Sequence, residues 1–271
     1  MAIDGAILTF EPTGSVTTER PYSARSLIAS VLLGTHPPRL RGRLIVSLAE
    51  PFGLTAGAVR TAMSRMVTAG ELVVEGGNYS LAGRLLDRQV SQDTSRQLVP
   101  RAWSGQWDVA IVVATGRSQH ERVEVRRAFS ALKLAERREG VWMRPANLPP
   151  GSLPTAERLI DNYAERYLAC PHRDPVSLVA DLWDLDAWQE RTNELRRHMG
   201  AIVDRLESGD EEALASGFVT AAAVLRHLVA DPMLPSELTP ARWSPAELRS
   251  EYERYDVAFR SVLRAWFRAH R

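Results

Sequence analysis

The sequence predicts a multi-domain α+β chain, and three observations predict it. Two short helical patterns separated by Pro51-Phe52-Gly53-Leu54 run into a ribbon that turns at Gly76-Gly77. A strand–helix–strand pattern begins at Trp107, and from Asp174 onward the chain is helical again. In order, these give a tail over residues 1–20, an N-terminal winged helix-turn-helix over 21–90 and a linker over 91–100. A ferredoxin-like α/β domain over 101–174 and an all-helical C-terminal domain over 175–271 complete the chain.

The chain has 271 residues, 45% of them hydrophobic and 25% charged, which fits a folded protein of several domains. No apolar run approaches the roughly 18 residues of a membrane span, and no basic start precedes an apolar signal core. A cytoplasmic protein without a membrane partner is therefore expected. Cys170 is the single cysteine, so no internal disulfide can form, and it is expected to be a small buried hydrophobe. The net charge of +1 conceals an asymmetry. Residues 21–90 carry 8 basic and 4 acidic side chains, residues 91–150 carry 10 and 6, and residues 151–271 carry 15 and 20. The basic part suits a polyanionic partner. Lys133 is the only lysine; the other 33 basic residues are arginines.

Ser23 caps a first helix with Leu27, Ile28, Val31 and Leu32 on one face and Gly34 at its end. Thr35 to Pro38 forms a loop. A helix is expected over Arg41–Glu50, with Leu44, Ile45 and Leu48 inward and Pro51 ending it. The next helix has Thr55 as N-cap, Val59, Met63, Met66 and Val67 on its buried face, and Gly70 as a left-handed C-terminal cap. Arg60, Thr61, Ser64 and Arg65 are left on or beside the opposite face. Ala56-Gly57-Ala58 keeps the start of this helix thin enough for close approach to a groove, where arginine reads guanine edges or holds phosphate. Leu72–Glu75 and Asn78–Leu81 then pair across two glycines suited to the positive φ of a tight turn. The candidate DNA contacts are Thr55, Ala58, Arg60, Thr61, Ser64 and Arg65 on the helix, and Asn78 and Tyr79 on the wing. Arg41 and Arg43, with Arg39, stand at the flank. The same pattern also fits an ordinary helical hairpin and ribbon in any small domain.

After a connecting helix over Gly83–Gln97 and a polar linker, Trp107–Ala114 reads as a strand buried on both faces. Ser118–Arg138 reads as a helix with Val125, Ala128, Phe129 and Leu132 inward, and Gly140–Pro145 as a second strand. Leu153–Tyr163 and Glu165–Cys170 supply a further helix and strand. In the C-terminal part, helices are expected over Leu178–His198 and Asp210–Ala230, and from Ser244-Pro245-Ala246-Glu247 onward. The last helix carries Leu248, Tyr252, Tyr255, Phe259, Val262, Leu263 and Trp266. A stripe so broad must be buried, within the subunit or against another.

The six histidines are scattered, and the sequence holds no phosphate loop, nucleophile elbow or HExxH. Neither catalytic residues nor a cofactor or metal is expected. Asp181, Asp184 and Asp186 could hold magnesium, but alternate with Leu182, Trp183 and Leu185 as the wet side of a helix would. Arg122, Arg126, Lys133 and Arg137 follow at 4, 7 and 4 residues along the middle helix. That stripe suits the phosphates of an effector, or is a solvated face beside Glu124 and Glu136.

Six fragments, SARSLIASVLLG, GAVRTAMSRMVTAGEL, WSGQWDVAIVV, GVWMRPANL, LVADLWDLDAW and DPMLPSELTPARW, together resemble the PaaX-like transcriptional regulators. The resemblance runs in family order from about Ser23 to the C-terminus. It implies a winged-helix domain, a ferredoxin-like middle domain and a helical C-terminal domain, assembled as a homodimer on a double-stranded DNA operator. It also implies a CoA-thioester or aromatic-acid effector, and places recognition arginines at Arg60 and Arg65. The wing departs from the family pattern: Val74-Glu-Gly-Gly-Asn-Tyr79 lacks the usual arginine. The leading expectation is a dimeric repressor of a catabolic operon, released by a small effector. The alternatives are an activator or architectural factor, and a metal-dependent nuclease using Asp108 or the Asp181 cluster.

Overall fold

A computed structural model of the chain describes residues 23–33, 35, 37–86, 89 and 99–269. The expected tail, Gly34, and most of the connecting helix and linker between 87 and 98 fall outside these residues. Helix α1 spans Ala24–Leu33, with the Ser26 amide donating to Ser23 Oγ at 3.1 Å. Strand β1 (Arg39–Arg41) leads directly into α2 (Gly42–Ser47), and a 3-10 turn over Glu50–Phe52 precedes α3 (Ala56–Thr68). Strands β2 (Leu72–Glu75) and β3 (Asn78–Leu81) form the hairpin, and β1 joins β3 on its open side, giving an antiparallel sheet of order β1-β3-β2. This corrects the expected helix over Arg41–Glu50. Arg39–Arg41 is extended because it can pair with β3, Leu40 opposite Tyr79 and Arg41 opposite Asn78.

The middle unit begins with β4 (Trp107–Val112), followed by α4 (Gln119–Ala131), β5 (Ala135–Arg138), β6 (Val141–Pro145), α5 (Pro154–Asp161) and β7 (Ala164–Ala169). All pairings are antiparallel and the order is β5-β6-β4-β7. Helix α4 starts in a reciprocal capping box between Ser118 and Glu121. It stops seven residues short of the expected end. Lys133 takes a left-handed conformation (φ 62°), its amide donating to Ser130 O, while Leu134 N closes on Phe129 O at 2.9 Å. Leu134 and Phe129 are both buried beside that closure, which offsets the cost of a lysine where glycine is usual. The chain then emerges as β5, where the sequence pattern predicts continued helix.

One face of this sheet packs on α4 and α5 through Ala110, Trp142 and Phe129. On the other face Trp107 and Met143 meet Leu178 and Val179 of α6 (Pro175–Leu182), together with Leu234 and Leu238 from a later loop. Helix α7 (Leu185–Glu207) is separate from α6, so the single helix expected over Leu178–His198 is in fact broken. Trp183 is extended, and the Asp184 carboxylate caps α7 by accepting from Ala187 N at 2.9 Å. Helices α8 (Ala213–Val229) and α9 (Pro245–Ala269) complete the chain. Ser244 precedes α9 as expected, but its hydroxyl accepts from Gln189 Nε2 at 2.8 Å. Cys170 is exposed, not buried, because it lies just past the end of edge strand β7.

The stripe on α9 is buried inside the subunit. Leu248, Tyr255, Val262 and Trp266 share a core with α7 and α8, and with Leu27, Val31, Leu48 and Phe52 of the N-terminal unit. Phe52 meets Phe218 edge-on at 5.2 Å. Helix α1 has a second buried side: Ile28 and Leu32 enter a separate core with Ile45, Val59, Met63 and Met66. Among the described residues, no helix is long and apolar enough to cross a membrane.

Truncating Phe52 leaves a cavity at the seam between the N-terminal unit and the bundle. Phe52→Ala is expected to lower the unfolding free energy by about 3 kcal/mol in urea titrations. A loss below about 1 kcal/mol would mean that the seam is not a packed core. The second prediction concerns His227, which stacks on Trp188 at 4.2 Å and meets Thr192 Oγ1 at 2.8 Å. Burial, with Arg191 nearby, pushes its imidazole down to about 4. Between that value and the ordinary 6.5 the unfolded chain binds the proton and the folded chain does not, so stability falls as pH drops through this window. Replacement by phenylalanine removes the titration, and the stability difference between the two proteins should shift by on the order of 1 kcal/mol from pH 7 to pH 4.5, after allowance for partial exposure.

Candidate nucleic-acid interface

Helix α3 is built from both ends. Thr55 Oγ1 accepts from Ala58 N at 3.1 Å. At the C-terminus Gly70 (φ 69°) permits two closing bonds, its own amide to Val67 O at 3.0 Å and Glu71 N to Met66 O at 2.9 Å. Val59, Met63 and Met66 are at most 3% exposed, which fixes the helix's rotation. Glu71 is held in turn by a two-pronged ion pair from Arg25 on α1. Gly57, Ala58, Thr61, Ser64 and Thr68 consequently line the exposed side, with Arg60 and Arg65 also exposed. Successive helical residues turn by about 100°, so Arg60 and Arg65 project roughly 140° apart, one on each flank of that small-residue strip.

Arg39 and Arg41 are exposed on β1 while Leu40 turns inward, the alternation a strand imposes. Arg43 is exposed at the start of α2. Among the described residues none of Arg39, Arg41, Arg43, Arg60 and Arg65 is in an ion pair, whereas the bundle neutralises Arg196 with Glu251, Arg205 with Asp210 and Arg254 with Glu207. Five cations without carboxylate partners are therefore presented by β1, α2 and α3. The sequence reading named these arginines but missed that a strand carries Arg39 and Arg41; the signal was the exposed–inward–exposed alternation of Arg39-Leu40-Arg41, too short to read alone.

The ribbon turns at Gly76 and Gly77 with φ of 55° and 77°, the two left-handed residues a tight hairpin requires. Asn78 lies opposite both Arg41 and Glu75. Tyr79 is half-buried, its ring lying over Gly42: a Cβ added there would meet Tyr79 Cε2 at 2.7 Å. That ring braces the sheet against α2. Glu75 occupies the hairpin tip and is exposed, as are Val73 and Val74.

The basic stripe expected on the middle helix does not form, because α4 ends at Ala131. Arg122 is exposed on α4. Arg126 pairs with Glu136 at 2.9 Å and stands over the Trp142 ring at 5.3 Å. Lys133 is buried in the turn, and Arg137, on β5, pairs with Asp181 at 3.0 Å. The carboxylates considered for metal binding are also committed elsewhere. Asp108 pairs with Arg166, Asp181 also takes Arg173 at 2.8 Å, and Asp186 takes Arg242 at 3.1 Å. Among the described residues no group of three histidine, cysteine or carboxylate side chains could hold a metal ion. A cavity of about 600 Å³ lies between α6, its link to α7 and residues 237–240. Asp181, Asp184, Asp186 and Glu237 line it, with Asp181 and Asp186 already paired to arginines.

Residues 23–85 match the family described as PaaX-like protein, and residues 183–269 match the PaaX-like protein C-terminal domain. A solved structure, that of the uncharacterized protein Rv0674 from Mycobacterium tuberculosis, is similar at 37% sequence identity with a TM-score of 0.69. The similarity covers 90% of this chain and 98% of that one. No curated protein matches the chain. With both family regions present in order, and the α3–hairpin unit inside the first, the chain belongs to the PaaX-like protein family, a family of transcriptional regulators.

Proposed function

We propose that the protein is a DNA-binding transcriptional regulator of the cytoplasm whose N-terminal unit is a winged helix, with α3 as the recognition helix. The observation that carries this reading is the exposed face of α3, small residues and hydroxyls flanked by Arg60 and Arg65, none of it engaged by a carboxylate within the described chain. A helix of that surface enters the major groove with its thin side towards the base edges. Thr61 and Ser64 then face the floor of the groove, and the two arginines diverge towards its walls. Arg39, Arg41 and Arg43 extend the cationic surface along β1 and α2, where phosphates of the flanking backbone would run. The acidic hairpin tip is a poor phosphate ligand, so helix and strand carry the binding.

The middle unit has the βαββαβ order and the antiparallel sheet of a ferredoxin-like domain. We read the active species as a homodimer on a palindromic operator, its half-sites one helical turn or a multiple apart. It represses a catabolic operon until a small effector binds. The effector class that the family resemblance implies is an acyl- or aryl-CoA thioester.

Binding to the promoter of its own operon, followed by fluorescence anisotropy over a range of salt, tests the reading. If either arginine reads a base, Arg60→Ala or Arg65→Ala weakens specific binding by about 1–3 kcal/mol. Arg39→Ala and Arg41→Ala instead weaken all sequences alike and lower the salt dependence by about one counterion each. Unchanged affinity in both helix variants, each still folded, would remove α3 from the interface.

A further inference from the structure

Helix α8 (Ala213–Val229) is anchored in two different ways at its two ends. Over its first part Leu214, Phe218, Ala221 and Val224 lie in the core that also contains Leu27 and Phe52 of the N-terminal unit. At the other end Leu228 still packs on that core, and polar contacts reach the middle unit. The Val229 carbonyl accepts from the ammonium of Lys133, the only lysine in the chain, which is 7% exposed. In the loop that follows, the Met233 carbonyl accepts from Arg144 Nη2 at 3.2 Å and Asn147 Nδ2 at 3.0 Å. Arg144 also donates to Leu132 O at 3.0 Å, and its side chain and that of Asn147 are almost wholly buried. Asp231 binds Arg249 of α9 and takes the Met233 amide at 2.8 Å.

Lys133 and Met233, φ 62° and 53°, are the two non-glycine residues with left-handed backbone among the described residues, and both lie in this junction. Such conformations persist only where their surroundings hold them, and they gather where a structure stores strain. Burial pushes the Lys133 ammonium down to about 8 and the Arg144 guanidinium down to about 10, so both cations are held against their preference for water. An apolar core resists sliding in every direction, whereas a set of directional hydrogen bonds on strained backbone has discrete alternatives. Leu234 and Leu238 also seat the loop after α8 on the middle unit, so a shift of that unit carries the loop with it. From Val229 to Phe218 the helix covers about 16 Å at 1.5 Å per residue.

We infer that α8 couples the middle unit to the N-terminal unit as a strut, packed at Phe218 and tied to the middle unit at Val229, with Lys133, Arg144 and Asn147 as its positioning residues. Its regulatory meaning rests on the DNA-binding reading; the mechanical coupling does not. A shift of the middle unit, whatever causes it, pulls on the loop after α8 and is carried to the turn that supports α3.

Amide hydrogen exchange on the full-length chain tests this without DNA, so failure of the DNA reading leaves the result distinguishable. Lys133→Gly removes the ammonium and suits the left-handed backbone, while Lys133→Met keeps the stem and removes the charge. Both are expected to raise exchange at least threefold in residues 213–229 and in the distant segment 42–52, as well as locally. The control, Val125→Ala in the α4 core, should raise exchange within 119–145 and leave 42–52 unchanged. Changes confined to 130–147 and 226–235 in both lysine variants would overturn the coupling. An equal response of 42–52 to Val125→Ala would overturn it as well.

Discussion

The structure depends on α1 being buried on two sides at once. Its Ile28–Leu32 side closes the core behind α3, and its Leu27–Val31 side enters the bundle made by α7, α8 and α9. Leu48 and Phe52 join the second core from the segment between α2 and α3. Burial of an aliphatic or aromatic side chain contributes roughly 1.5–3 kcal/mol, so separating the units would expose four such groups at a cost of roughly 6–12 kcal/mol. That is comparable with the whole net stability of a domain. The N-terminal unit is therefore a projection of the bundle, not a bead on a linker, and α3 is aimed by the bundle as much as by its own sheet.

Charge follows the same division. In the bundle, arginines and carboxylates on adjacent helices neutralise one another, as with Arg196 and Glu251 or Arg254 and Glu207. On β1, α2 and α3 they do not, although the whole chain is nearly neutral. Arg39, Arg41, Arg43, Arg60 and Arg65 place five cations without carboxylate partners among the described residues on adjacent elements, which favours a polyanion there. Dry cores hold α3 rigid on one side, and its unpaired arginines stand on the other, so rigidity and charge lie on opposite sides of the same short helix.

Much of this was legible in the sequence wherever a local rule decides structure. Thr55 and Gly70 bound α3 because a cap and a left-handed glycine act within one turn of chain. Gly76-Gly77 marked the hairpin, and the continuous apolar run after Trp107 marked the central strand. What escaped was decided by partners distant in sequence. Strand β1 has three residues and exists through its pairing with β3. Strand β5 was hidden because AERR continues the helical period of α4, and the turn between them uses a lysine where a glycine would have signalled it. The basic stripe failed with that helix. The burial of Lys133 is equally hidden, since nothing local to it foretells the Val229 carbonyl almost a hundred residues on. The α9 stripe announced its burial, but only the tertiary structure placed it against α1 rather than a second subunit.

The central claim is that α3 moves as one body with the C-terminal bundle. Pulsed electron resonance between spin labels at Ala69→Cys, just past α3, and Val257→Cys on α9, in a Cys170→Ser background, measures this directly. All three positions are exposed, so the labels should not disturb a core. A single narrow distance distribution, unchanged when operator DNA is added, is the predicted result. A broad or two-peaked distribution in the free protein, or one that shifts on binding, would contradict a shared rigid core.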